Sequence, residues 1–371
     1  MRSLGCVVSD RESRDVAPSA RDYTEELTRI VRQAGADRVG VTSAEPLLRA
    51  RSAIEARIAA GHADDMQFTF RNPERSTTPA MSVPGARSII VAARSYWSHD
   101  EDSSRTKSND GHIAAHVARY ARRDHYEPLR DALRVAAARL KRDGHRATVF
   151  ADDNSIVDRE VAWRAGLGWY GKNANLLLEG LGSWFVLGCV VTTAELERTE
   201  REVADGCGPC RRCIDACPTG AIVEPGVVDA RRCLAWLAQK PGTFAPAYRS
   251  ALGTRIYGCD DCQEVCPPSR RGAIARTHGD EQGSVDALEL LTAPDDEVLR
   301  IAGRWYVADR DPRWVRRNAL LVVGNAGVVS DDVTSVLARY VHGDDRLLAE
   351  HASWAAQQLG LGSLDEEELL P

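Results

Sequence analysis

Between Asp22 and Ala34 apolar residues return every three or four positions among charged ones, and Gly35 closes the run, so the segment predicts a helix. Arg38-Val-Gly-Val-Thr42 follows as a strand, and Ala44 to Ala60 as a second helix stopped by Gly61. Asp65 to Pro73 is rich in aromatics and ends in an Asn-Pro break. Pro84 to Ala93 reads as a turn followed by a buried strand, and Ser95 to Gly111 as a polar loop. Tyr126 to Asp143 is a strongly amphipathic helix. Ala147 to Ala151 is a strand that ends at Asp152, and Arg159 to Ala165 is a helix stopped at Gly166. Trp184 to Thr193, which contains Cys189, is a second buried strand with that thiol as a small core residue. Strands alternating with helices predict an α/β or α+β domain over residues 21–200.

The texture changes near the C-terminal end. Ala287–Tyr306, Pro312–Gly324, Asp331–His342 and Arg346–Leu359 all carry helical periodicity and are joined by a few residues each. Arg313 to Asn325 looks like one helix of a HEAT-type pair, so residues 280–362 predict a small stack of helical repeats. The ends, 1–20 and 363–371, read as a disordered polar tail carrying Cys6 and as a frayed acidic tail.

Composition and charge narrow the function. The 371-residue chain has a net charge of -6, which excludes a generally basic nucleic-acid binder but leaves room for a local basic face. No apolar run is long enough to span a membrane, and residues 1–20 lack the apolar core of a signal peptide, so the expected compartment is the cytoplasm.

The chemistry concentrates in residues 201–272. Cys207, Cys210, Cys213 and Cys217 form a C-x2-C-x2-C-x3-C-P run, Cys233 stands alone, and Cys259, Cys262 and Cys266 form C-x2-C-x3-C-P. The first run is the bacterial ferredoxin pattern, in which the fourth Cys ligates the other cluster. The crossed assignment gives Cys207, Cys210, Cys213 and Cys266 to one 4Fe–4S cluster. Cys217, Cys233, Cys259 and Cys262 hold the second. Zinc would want two matched knuckles, and disulfides would want a secreted chain; neither suits this spacing.

Three stretches together carry a resemblance. Asp152-Asp-Asn-Ser-Ile-Val-Asp158-Arg159 runs into Ala165-Gly-Leu-Gly-Trp-Tyr-Gly-Lys-Asn173; the eight-cysteine segment and the Arg313 helix follow. Over roughly residues 22 to 360 this resembles the epoxyqueuosine reductase family, of which the Ala-Gly-Leu-Gly-Trp motif is the more specific sign. The resemblance implies an α+β fold: an N-terminal cobalamin-binding α/β domain related to reductive dehalogenases, a ferredoxin-like two-cluster domain and HEAT-like repeats. It implies reduction of epoxyqueuosine to queuosine at the wobble position of tRNA, with electrons passed through the clusters to cobalamin. By the family's motif the proton donor is Asp152, six residues before Asp158. Without the motif, Asp152 would read as a turn or cap carboxylate. Such a donor should lie in a partly desolvated pocket that raises its pKa.

Weaker contacts to the corrin fall on Arg119, Lys172, Asn173, Asp260 and Asp261, each of which also has an ordinary surface or turn-capping reading. Departures from the family's usual residues occur at Ser76 and Ser155, at Asp158, and in a shorter segment after Cys233. The expected partners are the anticodon region of tRNA and a low-potential electron donor, with the chain itself a monomer. Arg211-Arg212, Arg231-Arg232, Arg270-Arg271 and Arg316-Arg317 are the candidate phosphate contacts. Two other readings fit parts of the pattern: a cobalamin reductase of a small molecule such as an organohalide, and a ferredoxin-type electron carrier that needs no Asp152.

Overall fold

In the computed structural model, residues 19–97, 111–199, 201, 203–271 and 283–362 are described. Cys6, most of the 95–111 loop and the 363–371 tail lie outside them. Among the described residues no helix is long and apolar enough to cross a membrane.

A four-stranded sheet forms the N-terminal part, in the order Arg38–Ser43, Ser88–Ser95, Phe185–Thr192, Ala147–Ala151. Every neighbouring pair is antiparallel. This corrects the α/β expectation. Strands and helices alternate along the chain, yet the strands do not pair through parallel crossovers, so the layering is α/β/α while the sheet is that of an α+β fold.

Both faces are covered, which is why the central strands read as continuous apolar runs. Ile90, Ala92 and Val190 pack under Leu27, Val31, Leu129, Leu133 and Leu140 of the Ala20–Gln33 and Tyr126–Arg142 helices. Ile89, Val91, Ala93 and Cys189 face the other way, toward Val161 and Ala162 of the Asp158–Arg164 helix. Ser19 and Asp22 form a capping box, so the first helix starts at Ala20 rather than Asp22.

A second, three-stranded sheet joins the parts of the chain. Ala114–Val117 lies between Arg255–Tyr257, which is parallel to it, and Ser284–Asp286, which is antiparallel. Ile113, Ala115 and Val117 thereby enter the same core as Ile256, Leu290, Leu320 and Leu337.

The C-terminal helices are Ala287–Thr292, Asp295–Ala302, Arg313–Ala326, Asp331–Val341 and Arg346–Gln358. The expected Ala287–Tyr306 helix is split, because Pro294 cannot continue the first segment and instead caps the next. Arg317 is fully buried. Its guanidinium donates to the carbonyls of Leu237 (3.0 Å), Lys240 (2.8 Å) and Gly242 (2.7 Å), and to Asn318 Oδ1. It ties the helical part to the loop after Cys233 and is not available to RNA phosphates.

Candidate functional site

The two cysteine runs lie at short helices, Arg212–Asp215 and Asp261–Glu264, that pack on each other. Electrostatic neighbours sort eight thiols into two groups. Cys213 senses Cys266, Cys207 and Cys210, and Cys266 senses Cys207 and Cys210. Cys233 senses Cys217, Cys259 senses Cys233, and Cys262 senses Cys259 and Cys233 most strongly, with Cys213 of the first group a smaller contribution. Cys207, Cys210, Cys213 and Cys266, drawn from both runs, line one cavity.

Backbone amides point at the sulfurs: Ala221 N–H donates to Cys217 Sγ at 3.2 Å, and those of Ser269 and Asp261 do so to Cys266 and Cys259. Burial pushes the Cys259 thiol up to about 12 and raises Cys233 and Cys262 as well. Buried thiols with inward-pointing amides suit a bound iron–sulfur centre, which would replace the protons and accept those hydrogen bonds. The first quartet lines a cavity of about 210 Å³, so the donor set and the space both fit a cubane. All described cysteines are free of disulfides.

The Ala165–Asn173 motif is a bracket for these loops. Gly168–Tyr170 pairs with Leu176–Leu178, and a Cβ on Gly168 would sit 2.1 Å from the Leu177 carbonyl oxygen, so only glycine fits. The turn of this hairpin presents Lys172 and Asn173. Lys172 Nζ donates to the carbonyls of Gly208 (2.6 Å) and Cys210 (2.9 Å), and Asn173 Nδ2 donates to that of Cys262 (3.2 Å). One turn thus grips both cysteine runs.

The other expected cofactor contacts are placed differently. Asp260 is buried; its carboxylate accepts the Arg119 amide at 2.7 Å and the Gln263 side chain at 3.0 Å, and burial lifts it to about 6. The Arg119 guanidinium stacks 4.4 Å above the Trp97 ring. Asp261 is held by both terminal contacts of Arg255, at 2.8 and 2.7 Å. Lys172 and Asn173 line the first-quartet cavity, whereas Arg119, Asp260 and Asp261 do not. Arg119 and Asp260 meet each other, and Asn173 reaches the Cys262 carbonyl beside Asp261.

Asp152 follows the strand Ala147–Ala151 with a left-handed backbone, φ 56°. Its side chain is 51% exposed and accepts from Arg304 Nη2 at 3.1 Å. It does not occupy the desolvated pocket expected of it. Arg304 also pairs with Asp124. Sequence reasoning missed this cation because it lies 152 residues away. Arg304 is fixed by its neighbours: Trp305 stacks on Tyr257 at 4.9 Å, and the Tyr306 amide donates to the Tyr257 hydroxyl at 2.7 Å. In the same segment burial pushes Asp158 upward, with the Asp152 charge adding to the effect.

Of the arginine pairs, Arg231 is held by Asp229 and Arg316 by Asp295, and Arg317 is the buried strut described above. Arg212, Arg270 and Arg271 are exposed.

An eight-cysteine domain, its thiols buried or half-buried, bracketed to an antiparallel-sheet domain defines the class: an iron–sulfur oxidoreductase. Residues 206–269 match the family model for a 4Fe-4S double cluster binding domain, and residues 77–153 that for Epoxyqueuosine reductase QueG, DUF1730. The chain is 34% identical over 357 residues to the epoxyqueuosine reductase of Xanthomonas campestris pv. campestris, covering 93% of this chain and 98% of that protein. With the Vibrio cholerae enzyme the figures are 32%, 87% and 88%.

Among solved structures, an epoxyqueuosine reductase crystallised with an epoxyqueuosine-modified tRNA-Tyr stem loop superposes with TM-score 0.82 at 28% identity, covering 91% of this chain and 90% of that one. The Bacillus subtilis enzyme, with its aspartate catalytic loop swung out of the active site, superposes with TM-score 0.81 at 27% identity and 90% coverage of both. The chain belongs to the epoxyqueuosine reductase family.

Proposed function

We propose that this protein reduces epoxyqueuosine to queuosine at the wobble position of tRNA, and that Asp152 supplies a proton. The single observation that carries the reading is the meeting of Cys207, Cys210, Cys213 and Cys266 at one cavity in a chain of this family, on the same molecule as a half-exposed carboxylate. Removing the epoxide oxygen breaks two carbon–oxygen bonds, leaves a carbon–carbon double bond and releases water. The balance is two electrons and two protons. Each cubane passes one electron at a time, so the pair supplies the electron count in sequence. An alkoxide leaving a carbon needs a proton from an acid within hydrogen-bond reach. Asp152 is reachable from solvent, stands at the end of a core strand, and is oriented by the fixed Arg304.

Cobalamin enters the proposal from the family resemblance. When bound it would convert single electrons into two-electron chemistry at carbon, but no step here is assigned to it. The C-terminal helices are read as HEAT-like repeats that steady the tRNA, and the cytoplasm as the compartment.

The test is an anaerobic single turnover. Reconstituted protein and titanium(III) citrate, with and without cobalamin, are mixed with an epoxyqueuosine-bearing stem loop, and the nucleosides are read by mass spectrometry. Conversion to queuosine is expected. Intact clusters with no conversion under either condition would overturn the proposal.

A further inference from the structure

The first quartet opens outward. Its cavity is lined by Lys172, Arg212 and Arg271 and, among the described residues, by no carboxylate. In a chain whose net charge is -6, this is a local concentration of cations. Of the nearby acids, Asp205 accepts the Cys207 amide at 2.8 Å, and Asp215 lies 3.6 Å from Arg211. Lys172 is pinned to the Gly208 and Cys210 carbonyls, so its charge is held in place at the rim. Arg270, beside Arg271, is exposed and adds to the same field.

The second run lies on Asp152's side of the molecule: Tyr257, two residues before Cys259, stacks on Trp305, whose neighbour Arg304 holds Asp152. Its loop carries buried Asp260, joined to the Arg119 amide, and leads back to Tyr257, which senses the Asp152 charge. Electrons bound for Asp152's side of the molecule therefore have an outer and an inner quartet to cross. The outer one is where a donor can approach.

We propose that the cationic mouth over the first quartet is the docking surface for a small, acidic, one-electron carrier protein. The reading rests on the first quartet holding a cluster. Encounters of this kind use small interfaces and depend on charge complementarity for their rate. Opposite fields speed association and are weakened by salt. The sequence alone assigned Arg211-Arg212 and Arg270-Arg271 to tRNA phosphates. Arg212 and Arg271 line the first-quartet cavity itself, which favours a protein donor instead.

The test uses reconstituted holoprotein and a reduced, strongly acidic 2Fe–2S ferredoxin as the probe. Cluster reduction is followed by stopped-flow loss of visible absorbance, and reduced methyl viologen serves as a small reductant that needs no docking. The wild-type rate with ferredoxin should fall at least about tenfold between low and high salt. R212Q/R271Q should lower it by about tenfold at low salt, R212K/R271K should restore it, and neither should slow reduction by viologen.

A salt-independent wild-type rate would overturn the proposal, as would a double variant that ferredoxin reduces as fast as wild type. A double variant that loses stem-loop binding while keeping the ferredoxin rate would assign the patch to RNA and overturn it too. Absence of a cluster in the wild type, read by iron content and EPR, would instead sink the reading of the quartet. The salt dependence is measured on wild type, so it decides the matter even if the variants fold poorly.

Discussion

At the scale of single residues the site turns on one carboxylate and the cation that holds it. Asp152 has a left-handed backbone conformation that residues other than glycine adopt uncommonly, Asp and Asn more readily than most. Arg304 is the visible constraint. Replacing it by R304Q should release the turn after Asp152 and raise amide hydrogen exchange over residues 153–157. It should also slow single turnover by roughly an order of magnitude through lost positioning. Unchanged exchange would show that the turn is held by other means, such as the Val157 amide on the Ser76 carbonyl at 3.0 Å.

At the scale of elements, the cysteine loops and their struts make separable predictions. C266A removes a residue of the second run, yet it should abolish the same EPR signal as C207A and spare the one lost in C259A. Arg317 should be costly to remove. R317M would leave the carbonyls of Leu237, Lys240 and Gly242 buried without donors, at a loss of about 3–5 kcal/mol in chemical denaturation.

His351 gives the pH signature. Its Nδ1 donates to the Leu347 carbonyl at 2.7 Å, its Nε2 accepts the Phe244 amide at 3.2 Å, and burial holds it down at about 4. The unfolded chain takes up that proton near the ordinary value of 6.5, so the stabilisation is complete above it and is lost as pH falls toward 4. A gap of this width is worth about 3 kcal/mol, and H351Q should flatten the fall of Tm between those limits.

The elements were largely legible because period and punctuation announce them: Gly35, Gly61 and Gly166 stop helices in the structure where the sequence says they should. The short strands Ala114–Val117 and Ser284–Asp286 were not, because three or four residues carry no period and their pairing is set by distant chain.

For the molecule as a whole, the small sheet explains why three stretches read separately from sequence act together. Ala114–Val117 lies in the middle of it, so the core beneath the helices continues under the cluster loops. The double-cluster domain was legible from cysteine spacing. The bracket role of Lys172 and Asn173 was not, since their motif announces close packing without saying what is gripped. Arg304 and the buried Arg317 were equally hidden, because an arginine in sequence carries no mark of its partner or depth. The measurement that tests this account most directly is a side-by-side anaerobic single turnover of an epoxyqueuosine stem loop by wild type and D152N. Both proteins should carry the same pre-reduced clusters. The account predicts loss of one oxygen from the nucleoside with wild type, and a fall of at least about a hundredfold in that rate for D152N while its clusters stay intact and reducible. Oxygen loss at the wild-type rate in D152N would contradict it.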